Sequence, residues 1–215
     1  SQRWIQFPKT PLKVPIFIDH AHYVKWVEEQ LNQGNMQNER HLWTSVRPNG
    51  PERPHILNRL ELRICDLVSN VDVLLAITAL LELRIITLKN NRKKYDPIEA
   101  SSKNQIELAL LSDENDIQAA QNSLEANLYH WENGSKIKCR DWIRELVADV
   151  TPLAKELGMF NLLEPIETIL NKGNQAMIWL DSHSKGASIQ SLLQEGISEM
   201  EQEEKNFIPM KSTYS

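Results

Sequence analysis

The stretch from Arg59 to Leu88 constrains the fold more than any other part of the chain, because a short alternating segment there runs straight into a long apolar one. From Leu60 to Cys65 the residues alternate. A strand would therefore turn Leu60, Leu62 and Ile64 to one face and Glu61, Arg63 and Cys65 to the other. Ser69 then has the character of a helix N-cap, with Asp72 three residues on. Val71, Leu74, Leu75, Thr78, Leu81, Ile85 and Leu88 fall on one helical stripe. The pattern predicts a core helix that faces inward along that stripe.

A second alternating segment lies upstream, from Leu42 to Arg47, and ends at Pro48. The intervening loop, Asn49 to Leu57, holds Gly50, Pro51 and Pro54, so the two segments are expected to pair antiparallel across a long loop. That pairing would set Arg47 and Arg63 on the same polar wall as Glu61. Two guanidinium groups and a carboxylate suit an anionic substrate and a divalent cation better than a dry core. The plainer alternative is a half-buried strand with a solvated, ion-paired face.

Elsewhere the pattern is helical. Pro8, Pro11 and Pro15 punctuate the first residues, which read as loops with one short strand at Val14 to Ile18. Asp19 can cap a helix to about Leu31, with Tyr23, Trp26, Val27 and Leu31 inward and Gly34 as its stop. His20 and His22 stand two apart, a spacing that does not stack metal ligands on one helix face. After Leu88 only helices are expected. The first two are a short one from Asn104 to Leu111 and a longer one from Ser112, in which Ile117, Ala120, Leu124, Leu128 and Trp131 keep the period. Arg140 to Leu157 follows, with Ile143, Leu146, Val147, Val150, Leu153, Ala154 and Leu157 inward, and Thr151-Pro152 either kinks it or divides it. Leu162 to Lys172 ends at Gly173, and another helix starts at Ala176. Beyond the polar break from Asp181 to Gly186, a last helix carries Ile189, Leu192, Leu193, Ile197 and Met200 on one face, before a loose tail.

The fold class is therefore α+β: a small antiparallel sheet followed by a mostly helical bundle. Residues 1–180 are expected to belong to one catalytic domain, and 181–215 to a terminal amphipathic helix and tail. A net charge of -5, with Arg92-Lys93-Lys94 the one basic cluster and that at a helix end, argues against nucleic acid as a partner. The most apolar run, Val73 to Leu81, is too short to span a bilayer and is flanked by Asp72, Glu82 and Arg84, so no membrane partner is expected. Cys65 and Cys139 are the only cysteines, which fits a reducing, cytoplasmic setting without a disulfide framework. The chain opens on Ser1 and extended, proline-punctuated sequence, which suggests that residues are missing upstream.

The run Arg59-x-Glu61-x-Arg63-x-x-Asp66, with a loop and an apolar helix after it, resembles the substrate- and metal-binding strand of the glutamine synthetase superfamily. Within it the likeness is to the glutamate-cysteine ligase and carboxylate-amine ligase branch, C-terminal part, and most of all to the cyanobacterial form. Leu42-Trp43-Thr44-Ser45-Val46-Arg47-Pro48, Glu114-Asn115, Asp141-Trp142-Ile143 and Gly173-Asn174 extend it over roughly Asp19 to Leu180. The resemblance implies an ATP- and Mg²⁺-dependent ligase whose small-molecule substrates are glutamate, cysteine and ATP. It places Glu61 on Mg²⁺, Arg63 on glutamate or its acyl phosphate, Arg59 on nucleotide, and Arg47 on a phosphate or substrate carboxylate. A homo-oligomer is compatible with it.

Two departures bear on that implication. Gln118, Gln121 and Ser123 stand where the family's helix carries arginines and a glycine, and no Glu-x-Glu strand precedes residue 19. By itself, then, the chain is expected to be an inactive part of a ligase site. A ligase with another amine acceptor, and a non-catalytic helical module that docks a partner through its last helix, are the competing functions.

Overall fold

The computed structural model describes residues 11, 13–42, 46–48, 60–62 and 68–206. The chain divides into two compact units, Ser1–Asp66 and Leu67–Ser215.

The first unit is built on α1, His20–Asn32. Asp19 caps it as the sequence requires: its Oδ1 accepts the His22 backbone N–H at 2.7 Å, satisfying one of the free donors of the first turn. Gly34, at φ 73°, follows its end. Tyr23 and Val27 are buried with Met36 and Leu42, while Val14, Phe17, Trp26 and Leu31 pack around them. Phe17 meets Tyr23 edge-on, ring centroids 5.2 Å apart. Val14 to Ile18 are not a strand, which corrects the expectation there: Pro15 can give no ladder N–H, and the side chains on either side serve the aromatic cluster instead. The same unit holds β1, Val46–Pro48, and β2, Leu60–Leu62, paired antiparallel.

The second unit is organised around α2, Val71–Asn90. Its N-cap is Asn70, whose Oδ1 accepts from Val73 N at 2.9 Å, and not Ser69. Ser69 Oγ instead lies 3.4 Å from both Gln175 Oε1 and Glu199 Oε2. The inward face of α2 differs from the stripe expected. Ala76, Ala79, Leu83 and Thr87 are buried, whereas Val71, Leu74, Leu75, Ile85 and Leu88 are exposed. The cause is that α2 is apolar nearly all round, so its period does not select a face. Small Ala76 and Ala79 let a neighbouring helix approach closely.

That neighbour is α6, Cys139–Glu156, which runs unbroken through Pro152. Ala79 and Leu83 meet Val150, Ala154 and Leu163, with Leu80, Val147, Leu153 and Met159 around them. A second cluster joins Ala76 to Leu124, Ile166 and Leu170. Burying a leucine such as Leu83 stabilises by roughly 2 kcal/mol in transfer terms alone.

Between them come α3, Arg92–Tyr95, α4, Pro97–Ala100, and α5, Gln105–Asn122. The last is one helix where two were expected. Asn104 caps it, and Glu107 completes a capping box by accepting the Asn104 N–H at 2.9 Å. It ends at Asn122, so Leu128 and Trp131 are not on it. They belong to the segment of β3, Asn127–Tyr129, and the turn after it, where β3 pairs antiparallel with β4, Lys136–Lys138. This second small sheet corrects the expectation of helices alone.

The remaining helices are α7, Glu164–Lys172, stopped by Gly173 at φ 97°, then α8, Gln175–Ser184, and α9, Ile189–Asn206. On α9 only Leu192 of the expected apolar face is buried, beside Gly196, which lies against Trp179. Ile189, Leu193, Ile197 and Met200 face outward. The α+β architecture expected from sequence is present, and no helix among the described residues is long and apolar enough to cross a membrane.

Candidate functional site

Two of the residues singled out by sequence, Arg47 and Glu61, lie on the β1–β2 pair. Its register sets Val46 against Leu62, Arg47 against Glu61, and Pro48 against Leu60. Position 47 thus stands directly across from position 61, and directly opposed positions of an antiparallel pair share one face of the pleat. The long-loop pairing expected from the two alternating segments is present, and it brings two of the four candidate positions together. Glu61 is half-buried. Arg59 and Arg63 lie outside the described residues, as does Cys65.

A half-buried carboxylate offers one oxygen ligand to a hard cation, and an arginine position across the strand pair suits a phosphate or carboxylate. Magnesium usually takes one or two protein carboxylates and completes its octahedron with water and substrate oxygens. Glu61 fits that partial role. Among the described residues no group of three or more His, Cys, Asp or Glu could form a full metal cage.

Asn115 and Asn174, also matched from sequence, have structural partners. Asn115, on α5, grips β3 from both sides: its Nδ2 donates to Tyr129 O at 2.8 Å and its Oδ1 accepts Tyr129 N–H at 2.7 Å. An amide side chain here substitutes for a missing strand partner. Glu114 accepts from Gln118 at 3.0 Å, and Gln118 accepts from Asn122 at 3.0 Å, so the glutamine at a family arginine position joins a ladder along the helix. Asp116, on the same helix, is held above the usual carboxylate range by burial and then by Asp113. Asn174 caps α8 through Met177 N at 3.0 Å and donates to Ser123 Oγ at 2.7 Å.

Ser123 stands at a position where the resemblance drawn from sequence implies glycine, and its backbone is one that favours glycine. Its φ is 51° and ψ is -131°, a combination that only glycine adopts freely, and it is the only non-glycine residue at positive φ among those described. The hydrogen bond from Asn174 holds the strained turn. Arg140 secures the same corner by donating to Leu170 O and to Glu125.

Two clefts were not foreseen. One, about 480 Å³, is lined by Arg84, Lys94, Tyr95, Trp131, Trp142 and Asp149. Tyr95 Oη donates to Asp149 Oδ2 at 2.7 Å, Arg84 Nη1 donates to the same oxygen at 3.0 Å, and the Arg84 guanidinium lies 4.5 Å over the Tyr95 ring. Burial pushes the Asp149 carboxyl up, but the Tyr95 hydroxyl, Lys94 and Arg84 outweigh it and hold the group below the usual carboxylate range. With that many partners Asp149 clasps α2, α3 and α6 together. The sequence signal was there in Arg92-Lys93-Lys94-Tyr95, which pattern alone assigns to a solvated helix end. The other cleft, about 510 Å³, opens beside the first turn of α2 and carries Asp72 and Glu164 with Asn70, Asn161 and Thr168. Two carboxylates there repel phosphate.

Comparison with known proteins gives a consistent result. The family model described as glutamate-cysteine ligase family 2 matches residues 1–202. A Chloroflexus aggregans protein named "Putative glutamate--cysteine ligase 2" is 24% identical over 195 residues, 89% of this chain and 47% of that protein. A Sorangium cellulosum protein of the same name is 23% identical over 202 residues, 93% of this chain and 50% of its own length. One from Gloeobacter violaceus is 28% identical over 158 residues, 72% of this chain and 38% of the relative. The chain spans about half the length of the curated relatives it matches.

Proposed function

The chain belongs to glutamate-cysteine ligase family 2, and on that premise we propose that a family-length protein containing it joins L-glutamate to L-cysteine at the expense of ATP. In this reaction a γ-carboxylate oxygen of glutamate attacks the terminal phosphorus of ATP, releasing ADP and leaving γ-glutamyl phosphate. The amine of cysteine then adds to the acyl carbon and gives up a proton. Inorganic phosphate leaves with the bonding pair, and the amide of γ-glutamylcysteine, the first intermediate toward glutathione, remains.

Such chemistry asks the protein for position and charge more than for covalent participation. Glu61 is assigned to hold Mg²⁺, which when bound draws charge from the nucleotide phosphates. Arg63 takes the substrate γ-carboxylate and its acyl phosphate, where a planar guanidinium can engage two oxygens at once. Arg47 screens phosphate or the substrate carboxylate from the neighbouring strand, and Arg59 contacts nucleotide. The single observation that supports the assignment is the register pairing Arg47 with Glu61 within a chain matched to this family almost throughout.

The 215-residue chain alone is expected to turn over ATP poorly or not at all, because Glu61 is the one carboxylate assigned to a metal and such a transfer uses more. The test is to incubate a family-length protein with ATP, Mg²⁺, glutamate and a panel of amines, measuring phosphate release and product mass. Release that depends on cysteine and yields γ-glutamylcysteine supports the proposal. Release with a different amine moves the function to another carboxylate-amine ligase, and no release with any amine refutes it. A second reading, a non-catalytic helical docking module, is favoured by one observation: the outward apolar stripe Ile189, Leu193, Ile197 and Met200 on α9.

A further inference from the structure

The cleft that holds the Asp149 clasp has a second half, which is aromatic and acidic. Trp131 and Glu132 enter it from the turn between β3 and β4, and Trp142, Glu145 and Leu146 from one face of α6. The turn is held in place by the protein itself: Gly134 closes it at φ 74°, Ser101 Oγ donates to Trp131 O at 2.6 Å, and Ser102 N–H donates to Glu132 O at 2.7 Å. Both indoles are half-buried. The His130 ring packs against each, its centroid 5.8 Å from Trp131 and 5.0 Å from Trp142.

Charge decides what such a cleft can take. Its cations are committed: Arg84 to Asp149, and Lys94 to Tyr95 Oη, to which its Nζ donates at 2.8 Å, with Asp149 Oδ1 3.9 Å away. Both lie 4.5 Å over the Tyr95 ring, so the cleft already draws cations onto an aromatic face with its own residues. Two of its carboxylates have no such partner. Glu145 makes no hydrogen bond or ion pair among the described residues. Glu132 Oε2 lies 4.0 Å from His130 Nδ1, but that nitrogen already accepts the Glu132 N–H at 3.3 Å and has no hydrogen to give. Arg84 and Lys94 against Asp149, Glu132 and Glu145 leave a net charge of -1 before His130 is counted. The unmatched acids adjoin the indoles: Glu132 follows Trp131 in the turn, and Glu145 stands three residues after Trp142 on α6.

We propose that this half of the cleft binds a quaternary ammonium ion, with the methylated cation against the two indoles and Glu132 and Glu145 supplying the countercharge. Indole is the side chain whose face attracts cations most strongly. A primary ammonium would give up strong hydration there, whereas a methylated one is weakly hydrated, and its methyl groups suit Leu146 and Ala148. The volume of about 480 Å³ falls within the roughly 300–1,000 Å³ of small-molecule sites. A quaternary nitrogen has no hydrogen to lose, so this ligand is not the amine that the ligase joins to glutamate, and the two functions stand or fall separately.

The experiment is titration calorimetry on the intact 215-residue chain with choline and with dimethylbutanol, in which an uncharged tert-butyl carbon replaces the nitrogen, both at constant ionic strength. Choline should bind saturably with a Kd on the order of 1 mM, and the uncharged isostere at least about 10-fold more weakly. Trp131→Leu and Trp142→Leu should each weaken choline binding about 10-fold with the far-ultraviolet circular dichroism unchanged. Glu145→Gln, at an exposed position, should weaken it about 3-fold, and that loss should shrink as salt is added. Should a tryptophan variant fail to fold, Glu145→Gln and the isostere comparison on the unmutated chain still decide. No saturable binding up to about 50 mM choline overturns the proposal. So does an isostere that binds as tightly as choline, which would make the cleft merely apolar, and so does choline binding that all three substitutions leave unchanged, which would put the site elsewhere.

Discussion

At position 123 the usual preference for alanine over glycine should be reversed. At φ 51° and ψ -131° an L-residue is strained by about 1–3 kcal/mol. Glycine removes that strain, loses roughly 1 kcal/mol with the hydrogen bond from Asn174, and adds about 0.7 kcal/mol of unfolded-state entropy. For strain near the middle of its range these nearly cancel, so Ser123→Gly alone should lie within about 1 kcal/mol of the parent. The sharper comparison is alanine against glycine at this site, because both lack the hydroxyl and only alanine retains a Cβ. In an ordinary helical or strand position alanine is favoured by about 0.5–1 kcal/mol. Here glycine should be favoured by about 1 kcal/mol, a reversal of sign. Urea unfolding of Ser123→Ala and Ser123→Gly, compared at equal m-value, reads the difference directly. If alanine is as stable as glycine or more so, the turn is not strained as described.

Two further outcomes follow from the packing. Leu83→Ala, in the α2–α6 core, should lower stability by about 2–5 kcal/mol, while Leu75→Ala on the outward face of the same helix should change it by less than about 0.5 kcal/mol in dilute solution. Equal losses at the two sites would mean that the helix is turned the other way. Asp149 gives a pH dependence: its carboxyl is held below its usual range in the fold, so its contribution is complete above the unfolded value and is lost as pH falls through the folded one. Asp149→Asn should therefore flatten the acid limb of a stability-against-pH curve measured at constant salt, and an unchanged acid limb would contradict the assignment.

Much of the site's frame was legible in sequence, for a reason particular to strands. Period-two alternation at Leu42 to Arg47 and at Leu60 to Cys65, with a proline-rich loop between, permits few other arrangements, and the observed register sets Arg47 against Glu61 as that pattern implies. The caps at Asp19 and Gly173 were legible because their chemistry is local. The face of α2 was not. Its bulky leucines draw attention to one side, but burial follows the small Ala76 and Ala79, whose value lies in how near α6 can come. Nor was the β3–β4 pair, since Leu124 and Leu128 also fit a helical period and only the turn at Ser123 breaks it. The Asp149 clasp was hidden because Arg84, Tyr95 and Asp149 are far apart in sequence and meet only through the packing of three helices.

We assign the acid at position 61 to a metal-dependent ligation. The most direct measurement is phosphate release by a family-length protein supplied with ATP, Mg²⁺, glutamate and cysteine, with and without Glu61→Gln. Turnover should fall about 100-fold or more in the variant, with folding unchanged. A Glu61→Gln protein that works as fast as its parent would contradict it.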